Sequence, residues 1–95
     1  MQVIDIIPSR ERCEEAGWHA WDVYLDRALD DEIITALRPL GSWLYLSTLK
    51  KPFFKIESDY YFLKGLKGDT FFRMGVHGDH EEELQKLKAF IENIP

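Results

Sequence analysis

Residues 43–76 read WLYLSTLKKPFFKIESDYYFLKGLKGDTFFRMGV, and this stretch decides the fold. Apolar and polar side chains alternate there in short runs, and residues typical of turns separate the runs, which is the pattern of consecutive β-strands. The stretch also holds nine of the thirteen aromatic residues. Because strands joined by short turns pair with one another, we expect an antiparallel sheet in this part of the chain.

The alternation within these runs predicts which side chains share a face of the sheet. In the first run Leu44 and Leu46 alternate with Trp43 and Tyr45, and we assign the two leucines to the covered face. Side chains two residues apart in a strand point to the same side. The same rule places five further residues on the covered face: Phe54, Ile56, Phe72, Met74 and Val76.

The segment before this stretch predicts two strands and two short helices. Residues 2–7 form a first strand or an N-terminal arm that stops at Pro8, which has no N–H to donate. Residues 9–16 predict a short helix with Ser9 as its cap, and residues 18–27 alternate as a half-buried strand does. Asp30 then caps a helix with one apolar stripe, formed by Ile33, Leu37 and Leu40.

A final helix follows the sheet. Asp79 and Glu82 are spaced as in a capping box, in which each side chain accepts from a backbone N–H at the start of the helix. The apolar side chains after them have helical spacing, which predicts one buried stripe: Leu84, Leu87, Phe90, Ile91 and Ile94.

These elements predict a single α+β domain over residues 1–95. We expect a two-layer sandwich, in which an antiparallel sheet of four to five strands carries two helices on one face. The element order resembles that of ferredoxin-like plaits and their relatives, although the final strand of the usual plait is absent. Residues 1–17 are expected to be part of this domain, as an N-terminal arm or as a strand that covers the sheet.

Composition narrows the class of partner. The net charge is −5, and an acidic domain binds the phosphate backbone of nucleic acids poorly, so nucleic acid is an unlikely partner. Six bases lie within residues 50–73, and this cluster keeps a small anionic ligand possible. Cys13 is the one cysteine, which is typical of a reducing compartment. We expect a cytoplasmic protein, since no apolar run is long enough to span a membrane.

Few residues point to chemistry. His77 and His80 could bring two imidazoles together, but a zinc site needs three or four ligands, so no metal site is predicted. Cys13 has a mixed set of neighbouring charges and does not read as an activated nucleophile. The sequence therefore predicts no catalytic residue and no cofactor, and an enzyme is the less favoured class.

The uncovered face of the predicted sheet is the candidate binding surface. It would carry aromatic side chains with two bases among them: Tyr24, Trp43, Tyr45, Phe53, Lys55, Phe71 and Arg73. One of Tyr60 and Tyr61 would also lie on this face. A solvated sheet face is normally polar, so an aromatic face indicates that something covers it.

Three occupants of this face remain open. They are a second copy of the chain or another protein, the N-terminal segment, and a ligand or nucleic acid. We expect a small binding or interaction module that forms a homodimer through this aromatic face. The alternative is a sensor or enzyme for a small ligand or metal, with a pocket near His77, His80 and Arg73.

Overall fold

The computed structural model describes residues 1–12 and 15–95 and shows an α+β chain with six strands and two helices. A 3-10 turn, Arg38–Leu40, follows the first helix. In chain order the elements are β1 (Val3–Pro8), β2 (Trp18–Leu25), α1 (Asp31–Ala36), β3 (Ser42–Leu46), β4 (Phe53–Glu57), β5 (Tyr61–Leu66), β6 (Phe71–His77) and α2 (Glu82–Glu92).

All six strands form one antiparallel sheet in the order β1-β2-β6-β5-β4-β3. The prediction of a two-layer sandwich with four to five strands and two helices on one face is therefore wrong. The sheet is wider than predicted because residues 3–8 pair with β2 as a sixth strand, while α1 has only six residues and α2 eleven. The ferredoxin-like resemblance is also wrong, because β3 to β6 follow one another with no helix between them.

The connection between β2 and β3 crosses the width of the sheet. Since every neighbouring pair is antiparallel, β2 and β3 run in the same direction, yet β3 lies at the far edge of the sheet. Residues 26–41 bridge this distance and carry α1. Leu29 fixes the start of the connection, because its N–H donates to Asp69 O at 2.8 Å and its carbonyl accepts from Gly68 N at 2.8 Å.

The hydrophobic core contains buried side chains from the sheet and from both helices. As predicted, Phe54 and Ile56 of β4 and Phe72, Met74 and Val76 of β6 are buried. Val23 and Leu63 join them, and the apolar stripes of the helices complete the core with Ile33, Ile34, Leu37, Leu84, Leu87 and Ile91.

The face assignment of β3 is wrong. Trp43 and Tyr45 lie opposite the buried Ile56 and Phe54 and therefore share their face, whereas Leu44 and Leu46 are 49% and 40% exposed. Both aromatic side chains have a polar atom that reaches α1: Trp43 Nε1 donates to Ile34 O at 3.0 Å, and the Tyr45 hydroxyl contacts Asp31 at 2.5 Å. A leucine could form neither hydrogen bond.

Two predictions about helices are also wrong: the short helix at residues 9–16, and the capping box at the start of the final helix. The described residues around Cys13, 9–12 and 15–17, form bends and a turn rather than a helix, and Cys13 itself lies outside the described residues. In α2 the N-cap is Glu81, which makes no side-chain capping bond. Asp79 is instead held by its backbone N–H, which donates to His77 Nδ1 at 3.1 Å.

None of the helices in residues 1–12 and 15–95 is long and apolar enough to cross a membrane.

Candidate interaction surface

The face of the sheet that points away from the core is called the open face here. It is defined by the side chains that alternate with the core residues: Asp5 and Ile7 of β1, Trp18, Ala20, Asp22 and Tyr24 of β2, Ser42, Leu44 and Leu46 of β3, Phe53, Lys55 and Glu57 of β4, Phe62, Lys64 and Leu66 of β5, and Phe71, Arg73, Gly75 and His77 of β6. Neither helix contributes to it, because their buried residues belong to the core on the other face.

Five of the seven predicted binding residues lie on the open face. They are Tyr24, Phe53, Lys55, Phe71 and Arg73. The other two predicted residues, Trp43 and Tyr45, lie on the core face and are therefore absent from this surface.

Trp18 and Phe62 form one stacked pair on the open face, with ring centroids 6.2 Å apart, and the other apolar side chains form a row across the strands. In this row Tyr24 of β2 and Phe71 of β6 occupy opposite positions, and their rings stack with centroids 5.3 Å apart. The register of β5 and β6 places Leu66 beside Phe71, and Phe53 of β4 lies opposite both Leu66 and Leu46. Leu44 is next to them and exposed, so the apolar surface continues to the β3 edge.

Several charges beside this row are paired within the chain. Arg73 NH1 lies 2.7 Å from Glu11 Oε2, and Arg73 Nε lies 3.5 Å from Asp22 Oδ1 and donates to Ser9 Oγ at 3.1 Å. Lys55 Nζ lies 2.5 Å from Glu57 Oε1. The hydrogen bond and the charge of Lys55 hold the pKa of Glu57 below its usual value. The open face therefore has little net charge.

The N-terminal segment reaches the open face but does not cover all of it. Residues 3–8 are an edge strand in the plane of the sheet, and Ser9 and Glu11 then contact Arg73 from above. A cleft of about 310 Å³ lies beside this contact, and Glu11, Arg12 and Glu15 line it opposite the sheet. Arg12, Trp18, Phe62 and Lys64 are among its lining residues, and Lys64 Nζ lies 5.0 Å from the Phe62 ring centroid.

The two histidines of the predicted alternative site are in contact with each other and with Tyr60. The His77 and His80 rings are 5.5 Å apart, and Tyr60 stacks on His80 at 3.7 Å. His80 Nδ1 lies 2.9 Å from Glu82 Oε1, and this contact lowers the pKa of Glu82. No group of three or more potential metal ligands occurs among the described residues. Arg73 lines the 310 Å³ cleft, and neither histidine is among the lining residues.

Sequence reasoning missed Leu44, Leu46 and Phe62 as surface residues. The sequence carried no signal for the leucines, because residues 42–49, SWLYLSTL, contain no charge. A strand without a charge on either face gives no indication of which face meets water. Phe62 was missed because it follows two tyrosines, and the alternation does not show which of three consecutive aromatic residues points outward.

Comparisons with known proteins give no further guidance: no family model matches the chain, and neither the curated proteins nor the solved structures include a match.

Proposed function

We propose that this chain is a protein-interaction module that self-associates through the open face and its β3 border. The observation that supports this proposal is the apolar surface at Leu44, Leu46 and Phe53, where the two leucines are 49% and 40% exposed and Phe53 is half-buried. Continuous exposed apolar surface of this kind marks interaction sites in proteins, because contact with a partner removes it from water.

A second copy is the partner that the charges favour. Lys55 pairs with Glu57, and Arg73 pairs with Asp22 and Glu11, so most charges of the open face are compensated within one copy and repulsion between two open faces is weak. A nucleic acid would need unpaired Lys and Arg side chains that displace counterions along its backbone. The whole chain is acidic, with a net charge of −5, which works against that binding mode.

Leu46→Asp tests this proposal by sedimentation equilibrium. The side chain is 40% exposed in the monomer, so the variant should fold, but the substitution would put a charge in place of an apolar side chain where the two copies meet. We expect the wild type to be a dimer at high micromolar concentration and Leu46→Asp to be a monomer. Gln85→Asp, at an exposed position of α2, is the matched control and should keep the wild-type mass. An unchanged mass for Leu46→Asp would contradict the proposal.

A second candidate function rests on the 310 Å³ cleft, whose volume falls within the range of small-molecule sites. Four bases line it, Arg12, Lys55, Lys64 and Arg73, beside the carboxylates of Glu11, Glu15 and Glu57. A small anion would compete with Glu11 for the guanidinium of Arg73. Thermal unfolding with phosphate or citrate tests this function. A ligand at about 100 times its Kd stabilises by about 2.7 kcal/mol, and Lys64→Ala should reduce the shift. Unchanged unfolding at millimolar anion would exclude it.

A further inference from the structure

The two edges of the sheet differ in their capacity to pair with another strand. An edge strand presents unpaired N–H and C=O groups, and proteins normally block them with prolines, charges or bulges. The β1 edge has all three devices. Its register shifts between Val3 and Asp5, Pro8 has no N–H, and the N–H of Ile6 donates to the carboxylate of Asp5 at 2.9 Å. This edge is poorly suited to pairing.

The register of the sheet shows which backbone groups face outward from the β3 edge. Just before and just after β4, Pro52 O accepts from Lys67 N and Ser58 N donates to Tyr61 O, both at 2.9 Å. The even-numbered residues of this segment therefore direct their backbone groups toward β5. Bonds on the two sides of an antiparallel strand alternate, so the odd residues of β4 bond to β3. Their partners are Ser42, Leu44 and Leu46.

It follows that Trp43 and Tyr45 direct their backbone N–H and C=O groups away from the sheet. These groups make no hydrogen bond with any described residue. β3 contains neither proline nor charge. In contrast to β1, this edge is therefore open to pairing.

We propose that two copies of the chain pair through their β3 strands, antiparallel and with the twofold axis at Leu44. This inference rests on the self-association proposed above and specifies its geometry. Trp43 of one copy exchanges two backbone hydrogen bonds with Tyr45 of the other, and the symmetry repeats the exchange. Leu44 lies opposite Leu44 of the second copy, and Leu46 lies opposite the second copy's Ser42. Two six-stranded sheets become one continuous sheet, with both open faces on the same side.

The side chains of β3 suit this register. Leu44 is 49% exposed in the single chain and packs against its symmetry mate across the twofold axis. On the opposite face Trp43 lies beside the partner's Tyr45, and such cross-strand aromatic pairs stabilise sheets. The nearest charge on the neighbouring strand, Lys55, already pairs with Glu57 and needs no partner from the second copy. No like charges face each other across the new strand pair.

Disulfide trapping tests the register. In a Cys13→Ser background, Leu44→Cys places two thiols on residues whose Cα atoms are about 4.5 Å apart, the spacing of a non-hydrogen-bonded antiparallel pair. That spacing lies within the range of about 4.4–6.8 Å that disulfides need. The control is Leu46→Cys on the same face, whose two copies would be offset by four residues, or about 13 Å. We expect Leu44→Cys alone to form a covalent dimer under mild oxidation. Equal trapping of both variants, or trapping of neither, would overturn this register.

Charge exchange at the twofold axis is an independent test. Leu44→Lys and Leu44→Glu each place like charges directly opposite each other, so each variant alone should be a monomer by light scattering. A one-to-one mixture should restore the dimer, because a lysine then lies opposite a glutamate. Leu44 is half exposed, and circular dichroism should show wild-type folding for both variants. A mixture that remains monomeric, or a Leu44→Lys variant that remains a dimer, would overturn the proposal.

Phe71→Asp distinguishes two outcomes: the chain self-associates but not through β3, or it does not self-associate. Phe71 lies on β6, three strands away from β3, so edge pairing predicts that this variant stays a dimer. If Phe71→Asp is a monomer while Leu44→Lys remains a dimer, the open faces pack against each other and edge pairing is wrong, although self-association holds. A wild-type chain that is monomeric at high micromolar concentration would contradict both proposals.

Discussion

Tyr45 couples the edge strand β3 to the start of α1 through its contact with Asp31. The hydrogen bond to the Asp31 carboxylate, followed by burial and the negative charge, raises the pKa of Tyr45 to about 12. The hydrogen bonds from Tyr45 and Lys67 lower the pKa of Asp31. The pair thus favours a protonated phenol and an ionised carboxylate in the folded state.

Tyr45→Phe should therefore lower stability in a pH-dependent way. The raised phenol pKa contributes stability below about pH 10, and this contribution is lost as the pH rises towards 12. The lowered Asp31 pKa contributes stability above pH 3.8, and this contribution is lost as the pH falls through the lowered pKa. Urea unfolding of both chains at pH 3, 7 and 11 measures the effect. The deficit of the variant should be largest at pH 7, and an equal deficit at every pH would contradict this account.

Gly65 and Gly75 make a matched pair for packing, because an added Cβ would contact an aromatic ring at both positions. At Gly65 it would lie 2.5 Å from the ring of Phe54, which is completely buried. At Gly75 it would lie 2.1 Å from the ring of Phe62, which lines the cleft on the open face. If the contact distance alone decides, alanine should be less tolerated at Gly75 than at Gly65. If the ability of the contacted ring to move decides, alanine should be less tolerated at Gly65.

We expect Gly65→Ala to cost about 1–3 kcal/mol, as overpacking of a core does. Gly75→Ala should cost less, because the Phe62 ring borders the cleft and can move away from the added Cβ, whereas the buried Phe54 ring cannot. Urea denaturation of the two variants gives the comparison. A larger loss for Gly75→Ala would show that the Phe62 ring is fixed.

At the scale of elements, the two helices begin in different ways. Asp30 Oδ1 accepts from Ile33 N at 2.8 Å, which gives α1 a side-chain cap. Glu81 of α2 makes no such bond, and Asp79 is outside the cap. A helix of six residues depends on its cap more than one of eleven, since so few of its backbone groups are paired internally.

Asp30→Ala should accordingly destabilise the chain by about 0.5–2 kcal/mol, the usual cost of removing an N-cap. Asp79→Ala is the control from the other helix and should change stability by no more than about 0.5 kcal/mol. Thermal or urea unfolding of the two variants distinguishes them. Equal losses would mean that Asp79 caps α2 in solution, as its spacing from Glu82 predicts.

Much of the local structure was predictable from alternation. The pairs Phe54 and Ile56 on β4 and Phe72 and Met74 on β6 are buried as the pattern indicates, because charged residues mark the opposite faces of those strands. On β3 both faces are apolar, and the hydrogen bonds of the two aromatic side chains to α1 decided the orientation. Contacts between distant residues of this kind leave no trace in local spacing.

At the scale of the whole molecule, the order of the strands was not predictable. The meander from β3 to β6 follows from short turns, but β6 pairs next with β2, and the 16-residue connection 26–41 carries the chain to the far edge. This pairing depends on the core that the sheet forms with both helices. It also leaves β3 as an edge, so the most exposed part of the candidate surface is a consequence of topology rather than of any motif.

Amide hydrogen exchange at Trp43 and Tyr45 tests the proposed β3 pairing most directly. In the dimer these two N–H groups donate across the twofold axis, so their protection from exchange should rise with protein concentration. The Leu44 N–H bonds to β4 and should be protected at every concentration, and the Ile6 N–H at the β1 edge should show no concentration dependence. If Trp43 and Tyr45 exchange at the same rate in dilute and concentrated samples, the β3 edge does not bind a second copy.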